Sequence, residues 1–211
     1  MLKSLKHKKV QLWARRLHIY VSMALLLVVL FFAITGITLN RPHLYISDDP
    51  QIEQQVLSFP STLFTLQENK LEVDKEGVLA FLSEHTKLSG QPSSLQLFSE
   101  VEQGELLEGE ISLDYKGPGF NSVVFIDLVS QQAEIETTHY GLVAVLNDLH
   151  KGRDSGEVWA WFIDISAFLM VFFALTGVCL LVPKKKSFSL GLKWTAFGSL
   201  ISILIYLFAV P

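Results

Sequence analysis

The chain has very little cysteine, and this scarcity restricts the chemistry open to it. Cys179 is the only thiol among 211 residues, so no disulfide can form within one chain. Zinc and iron–sulfur sites built from several thiolates are excluded for the same reason. The sequence also lacks the G-x-S-x-G, HExxH and phosphate-loop patterns, and it therefore carries no hydrolase signature.

What the chain has in excess is hydrophobic sequence. Half of its residues are hydrophobic, and they concentrate in three runs, at 19–39, 158–182 and 194–210. Each run approaches or exceeds the roughly 20 residues needed to cross about 30 Å of hydrocarbon. The first run is too long for the core of a signal peptide and lacks a small-residue cleavage site, so we interpret it as retained. The sequence predicts a membrane protein with three transmembrane helices.

Positive charge predicts how these helices are oriented. Six Lys and Arg residues precede the first run, and four lie between the second and third, so both clusters are expected in the cytoplasm. The segment 41–157 then lies outside, with 20 Asp and Glu against 7 Lys and Arg, a balance of −13. That balance argues against nucleic acid or anionic lipid as a partner of this segment. We expect a multi-pass protein of a bacterial inner membrane, with a cytoplasmic N-terminus and residues 41–157 in the periplasm.

The outer segment contains the pattern of a small α+β domain. Asp74–Thr86 has an apolar helical face with Asp74 as its N-cap. After Pro92 the hydrophobic period changes to two, which predicts a three- or four-stranded antiparallel sheet with a hairpin at Lys116–Gly119. His139–His150 then has the apolar stripe of a helix lying at the membrane surface. The predicted order is a basic lead-in at 1–17, transmembrane helices at 18–40, 158–182 and 194–211, an outer domain at 41–138, an interfacial helix and turn at 139–157, and a cytoplasmic loop at 183–193.

Two of the apolar helices carry the same internal motif. Residues 31–39 read FFAITGITL, and residues 172–180 read FFALTGVCL. Gly36 follows His18 by eighteen residues, about 27 Å along a helix, so in an antiparallel pair Gly36 should lie level with His150. Gly177 should likewise lie level with His18. The sequence predicts two pseudo-symmetric sites in which each histidine faces the glycine of the other helix.

The same residues resemble a known family. The run LNDLHKGRDSGEVWAWFIDISA, the segment LHIYVSM at the start of the first helix and its TGITLN end are similar to the PepSY-associated transmembrane proteins, in their short three-span branch. The outer helix-and-sheet segment is similar to a PepSY module. Larger relatives include haem-containing inner-membrane reductases of ferric siderophores. The resemblance implies haem b and transmembrane electron transfer, with a ferric chelate or a redox partner protein as acceptor.

The resemblance also implies a set of candidate ligands. His18 and His150 are the first candidates for haem iron, with His43 and His139 as further ones. In the family branch the first helix often ends Leu-Asn-His, whereas here Asn40 is followed by Arg41-Pro42-His43. Either His43 takes the ligand's place two residues along, or an outer ligand is missing. The remaining cofactor-binding candidates are Gly36 and Gly177 beside the macrocycle, Arg15 and Arg16 for inner propionates, and Lys151 and Arg153 for outer propionates.

Other interpretations of these residues stay open. An interfacial histidine is often only hydrogen-bonded, a Thr-Gly pair usually serves helix packing, and the cations could be interfacial anchors. Two bis-histidine haems need four imidazoles, so one outer haem, a five-coordinate haem, or a homodimer sharing His18 are alternatives. Asp164, about one turn inside the second helix, is expected to have a structural partner or to accept a proton.

The rival function belongs to another class. In it the protein binds no haem, and the acidic outer domain contacts a protein or peptide while the helices only anchor it in the bilayer. Whether the chain is itself an enzyme, such as a ferric reductase, is open at this stage. The two functions differ in what the membrane histidines are for.

Overall fold

The structure is a computed structural model that describes residues 5–45, 50–67, 70–102 and 105–210. The chain divides into two compact units, one formed by Met1–Phe31 with Phe162–Pro211 and the other by Phe32–Trp161. Its helices are α1 (Lys8–Asn40), α2 (Lys75–His85), α3 (Leu142–Lys151), α4 (Glu157–Leu181) and α5 (Lys185–Ala209), with 3₁₀ turns at Pro42–Leu44 and Ser61–Leu63.

Three of these helices, α1, α4 and α5, are long and apolar enough to cross a membrane. The prediction of three such helices within the described residues is confirmed. Proline sets two of their boundaries, because it has no N–H and restricts the residue before it: Pro42 follows α1, and Pro183 separates α4 from α5. Helices α1 and α5 begin ten and nine residues before the predicted spans, since their lysine-rich first turns continue the helix outside the apolar run.

The unit Phe32–Trp161 contains the strands β1 (Gln51–Ser58), β2 (Phe64–Gln67), β3 (Lys70–Val73), β4 (Gln91–Pro92), β5 (Gln96–Glu102), β6 (Glu105–Gly117), β7 (Phe120–Asp127) and β8 (Gln132–His139). They form an antiparallel sheet in the order β1-β8-β7-β6-β4, with β5 also paired to β6, and a separate hairpin of β2 and β3. The predicted β6–β7 hairpin is confirmed, with Gly117 paired to Phe120 and Gly119 at φ 76°, the conformation required after proline in such a turn.

The prediction of a sheet of three or four strands was too small. It also placed all strands after the helix. Six strands form the main sheet, and β1 to β3 precede the helix α2. The sequence did not predict strand β1, because almost all of its residues are exposed and no buried apolar alternation indicates a strand there. Its place is instead fixed by pairing along its whole length with β8.

One face of the sheet holds the core of this unit. Helix α2 packs Val78 and Leu82 against buried strand residues such as Ile111, Val124 and Ile126. The predicted N-cap is confirmed, since Asp74 Oδ1 accepts a hydrogen bond of 3.0 Å from the N–H of Gly77, which satisfies a free donor of the first turn.

The predicted helix from His139 to His150 is wrong at its start. His139 is the last residue of β8, where it pairs with Gln51 on one side and Phe120 on the other. Gly141, at φ 85°, turns the chain into α3. The two histidines therefore do not share a helical face, and the helix that carries His150 starts only at Leu142.

Candidate functional site

The first histidine cluster lies in the unit of Met1–Phe31 and Phe162–Pro211. His18 of α1 places its Nδ1 3.0 Å from the Thr176 hydroxyl and 3.2 Å from the carbonyl oxygen of Phe173, both on α4. The imidazole also stacks on the Phe173 ring, with centroids 4.5 Å apart and planes 12° apart. A side chain at the surface of α1 is thus held by three groups on α4.

These contacts fix where the His18 ring carries its proton. A carbonyl oxygen can only accept, so Nδ1 donates to Phe173. The Thr176 hydroxyl uses its own hydrogen on that same carbonyl, at 2.8 Å, so its oxygen also accepts from Nδ1. In the neutral imidazole the lone pair then lies on Nε2, the nitrogen that would be left for a metal.

Gly177 allows the His18 ring to come this close. A Cβ on Gly177 would stand 3.2 Å from Cε1 of His18, which is tighter than ordinary van der Waals contact. Only glycine leaves room for the ring without a shift. The predicted facing of His18 and Gly177 is what the structure contains.

The second histidine cluster lies in the unit Phe32–Trp161. His150 of α3 places its Nδ1 2.5 Å from the Thr35 hydroxyl of α1 and packs edge-on against the Phe32 ring, at 5.0 Å between centroids. A Cβ on Gly36 would be 3.6 Å from Cε1 of His150, so this ring also lies over the glycine. The Thr35 hydroxyl lies 3.5 Å from the Phe32 carbonyl oxygen, a longer contact than the 2.8 Å between the Thr176 hydroxyl and the Phe173 carbonyl.

The surroundings of His150 favour its neutral form. Burial lowers the pKa of its imidazole below the usual 6.5, and the neighbouring Lys151 ammonium lowers it further. Both effects penalise a second proton on the ring. Near neutral pH the ring therefore keeps one nitrogen lone pair, which is the form that can ligate a metal.

The two clusters are built by the repeated motif. Phe32, Thr35 and Gly36 contact His150 as Phe173, Thr176 and Gly177 contact His18. Beside each histidine, an amide side chain forms a further hydrogen bond with the helix that carries the motif. The Asn147 carbonyl oxygen accepts from the Thr38 hydroxyl at 2.6 Å, and the Gln11 amide donates to the Cys179 carbonyl at 2.9 Å. Thr38 and Cys179 occupy the same position of the motif, two residues after the glycine.

A comparison with protein families identifies the group to which this chain belongs. The family model PepSY_TM-like matches residues 12–211. The chain belongs to the PepSY_TM-like family. The match covers both histidine clusters and, with the three apolar helices, indicates a membrane protein with a PepSY domain. No curated protein and no solved structure matches the chain.

The other candidate ligands of this PepSY_TM-like protein do not join the clusters. His43 is exposed in the 3₁₀ turn after α1. His139 is exposed at the end of β8, where its nearest aromatic ring is Phe120, at 6.0 Å. Within the described ranges the structure shows no contact of either residue with His150, and no group of three or more metal-ligating side chains.

The candidate propionate partners all lie at the surface. Arg15, Arg16, Lys151 and Arg153 are exposed, and the Arg16 guanidinium lies 5.9 Å from the centre of the Trp13 ring. None of them forms an ion pair among the residues that the structure describes. They are free to meet an anionic group, but nothing holds them in one orientation.

Asp164 is exposed on α4. In the described part of its own unit, its side chain has no hydrogen bond or ion pair. The expectation that it has a structural partner or accepts a proton stays a prediction.

Sequence reasoning missed the groups that hold the rings. The sequence shows Thr35, Thr176, Phe32 and Phe173 as parts of a repeat but does not assign them to the histidines. Asn147 lies in an amphipathic pattern, yet only 3% of it is exposed. A Phe-x-x-Thr-Gly motif occurring twice, with two histidines at matching depth, is the signal that could have assigned them.

Proposed function

We propose that this PepSY_TM-like protein is a bacterial inner-membrane protein that binds haem b and passes electrons toward an outer acceptor, a ferric chelate or a redox partner protein. The observation that carries the proposal is the hydrogen bonding of His18. Its Nδ1 donates to Thr176 and Phe173, so the neutral ring presents Nε2, and ring-fixing contacts of this kind accompany metal-bound histidines.

The donor set fits a haem at each cluster, which His18 or His150 would hold through its iron. Imidazole is a common axial ligand, and a haem iron supplies reversible one-electron transfer when bound. Thr176 and the Phe173 carbonyl would keep the proton of His18 on Nδ1, and Thr35 would hold His150 through its Nδ1. The aromatic neighbours Phe173 and Phe32 would limit rotation of the rings. The exposed cations Arg15, Arg16, Lys151 and Arg153 would attract propionates on their respective sides.

The chain offers one imidazole to each cluster. A second protein ligand would then be absent, or it would come from another molecule, such as a second copy of the chain contributing its own His18. His43 and His139 are the outer alternatives in the sequence. Ligand number is therefore part of the test.

The proposed orientation has the N-terminus and the loop 183–193 in the cytoplasm and residues 41–157 in the periplasm. It rests on the distribution of Lys and Arg around the apolar helices. The His18 cluster would then serve the cytoplasmic half of the membrane and the His150 cluster the outer half. Electrons would pass between the two levels.

The decisive measurement is the absorption spectrum of the purified chain, oxidised and reduced, with haem measured per chain. Protein expressed with ample haem should show a Soret band that shifts on reduction. His18→Ala and His150→Ala should each lower the haem content, whereas His85→Ala, a change at an exposed helix residue, should not. Sharp low-spin α and β bands would indicate two axial imidazoles, and a high-spin spectrum would indicate one. A featureless spectrum would overturn the proposal.

The alternative function is a haem-free, membrane-anchored module that binds a protein or peptide through its PepSY domain. One observation favours it: each imidazole already fills a gap between helices and has a hydrogen-bond partner, which a purely structural histidine also requires. In that case the alanine variants would lose stability without any change in haem content.

A further inference from the structure

The sheet of the Phe32–Trp161 unit has one covered face and one open face. Helix α2 covers the face that holds the core, and α3 contacts the β6–β7 turn, where Asp148 accepts a hydrogen bond of 3.0 Å from the N–H of Gly119. The pairing register places Val56 of β1 and Val123 and Phe125 of β7 on the other face, with β8 between the two strands. A sheet normally buries its apolar face against a second layer, so apolar residues on an uncovered face are unusual.

The apolar residues of the open face are strongly exposed. Val56 is 60% exposed, Val123 43% and Phe125 37%, and together they line a groove of about 380 Å³. Phe98, opposite Glu110 on the neighbouring strand pair, is 55% exposed. Apolar side chains that are exposed together around a groove of a folded domain indicate a contact surface.

Acidic side chains of β8 lie between these apolar residues. Glu134 stands opposite both Val56 and Phe125, and Glu136 stands opposite both Gln54 and Val123. Farther along the open face, Glu100 and Glu108 are paired directly across the strands, although like charges in that position repel each other. Among the described residues of the face the single cation is Lys116, which pairs with Asp114 at 3.4 Å.

We propose that this open face, defined by Val56, Val123, Phe125, Glu134 and Glu136, docks a basic segment of a partner protein in which apolar side chains alternate with Lys or Arg. The apolar side chains of the segment enter the groove, and its cations meet the glutamates of β8. The net charge of −13 in residues 41–157 steers such a segment toward the domain and repels acidic ones. The proposal does not depend on haem binding.

The test uses the full chain in nanodiscs of phosphatidylcholine, with empty discs as the blank. The probe is a short fluorescent peptide of alternating Lys and Val, and the matched peptide has Glu in place of Lys. We expect binding of the Lys peptide only, weakened by salt, and weakened roughly tenfold by Val123→Ser with Phe125→Ser. Glu84→Lys, which changes an exposed carboxylate of α2, should leave binding unchanged.

A charge-reversal variant distinguishes loss of the binding surface from misfolding of the domain. Glu134→Lys with Glu136→Lys should bind the Glu peptide and reject the Lys peptide, a gain that an unfolded domain does not produce. Failure of the wild-type chain to bind the Lys peptide would overturn the proposal. Equal binding by the wild type and all face variants would do so as well.

Discussion

Thr176 accepts a hydrogen bond from Nδ1 of His18 while its own hydroxyl hydrogen is used on the carbonyl of Phe173, one turn earlier on α4. The two residues come from sequence positions more than 150 apart, yet together they determine the tautomer of the ring. Thr35 and His150 form the corresponding pair in the other unit. Several consequences of these two pairs can be measured.

Replacing Thr176 by valine should destabilise the helix contact. Valine keeps the shape of threonine but removes the acceptor, so Nδ1 retains only the Phe173 carbonyl, at 3.2 Å. The expected loss in the free energy of unfolding is about 1 kcal/mol, the size found for hydrogen bonds between membrane helices. Thr176→Ser keeps the hydroxyl and is the control, so equal stability of the two variants in detergent would contradict the hydrogen bond.

The two glycines should differ in their tolerance of alanine. A Cβ at position 177 would meet the His18 ring at 3.2 Å, whereas one at position 36 would meet the His150 ring at 3.6 Å. The first distance forces the ring to shift and the second is an ordinary contact. We expect Gly177→Ala to lower the thermal unfolding temperature and Gly36→Ala to leave it nearly unchanged, and the reverse order would show that the rings do not lie over the glycines.

The His150 cluster should lose stability in mild acid. Because burial and Lys151 lower the pKa of His150 below 6.5, the folded protein binds fewer protons there than the unfolded chain does. The contribution of His150 to stability is thus fully present above about pH 6.5 and is lost as the pH falls through the lowered pKa. The stability difference between the wild type and His150→Gln should shrink from about pH 8 to pH 5, and a difference constant with pH would refute the assignment.

Replacing a side chain by alanine should reduce stability much more on the covered face of the sheet than on the open face. Ile111 is fully buried, so Ile111→Ala removes packed methyl groups and should cost about 2–5 kcal/mol in the free energy of unfolding. Ser112 is the next residue of β6 and is only partly buried, so Ser112→Ala should change stability by less than about 0.5 kcal/mol. Denaturant titration followed by circular dichroism measures both, and similar effects would mean that the core lies elsewhere.

Local sequence patterns predicted much of the fold. The lengths of the apolar runs indicated three membrane helices, and alternation indicated the strands from Gln96 onward. Asp74 indicated the start of α2, because an N-cap acts through its own neighbours. Strand β1 was not predicted, since its residues are exposed and only its pairing with β8 makes it a strand.

The sequence likewise predicted one part of the candidate site and not another. Its histidines and its two Thr-Gly motifs were visible in the sequence, and so was the facing of His18 with Gly177, because helix rise converts residue number into depth. The separation of His139 from His150 was not visible, since the helical periodicity of 139–150 conceals the turn at Gly141.

The sequence by itself determined the class of this protein: apolar run length, charge distribution and an internal repeat are properties of neighbouring residues, and they define a membrane chain with an acidic domain. Only the tertiary structure decided which nitrogen of each histidine is bonded, which face of the sheet is open, and that His150 belongs to a short helix of its own. Those features arise from contacts between residues far apart in the chain, and their geometry depends on packing that no local pattern encodes.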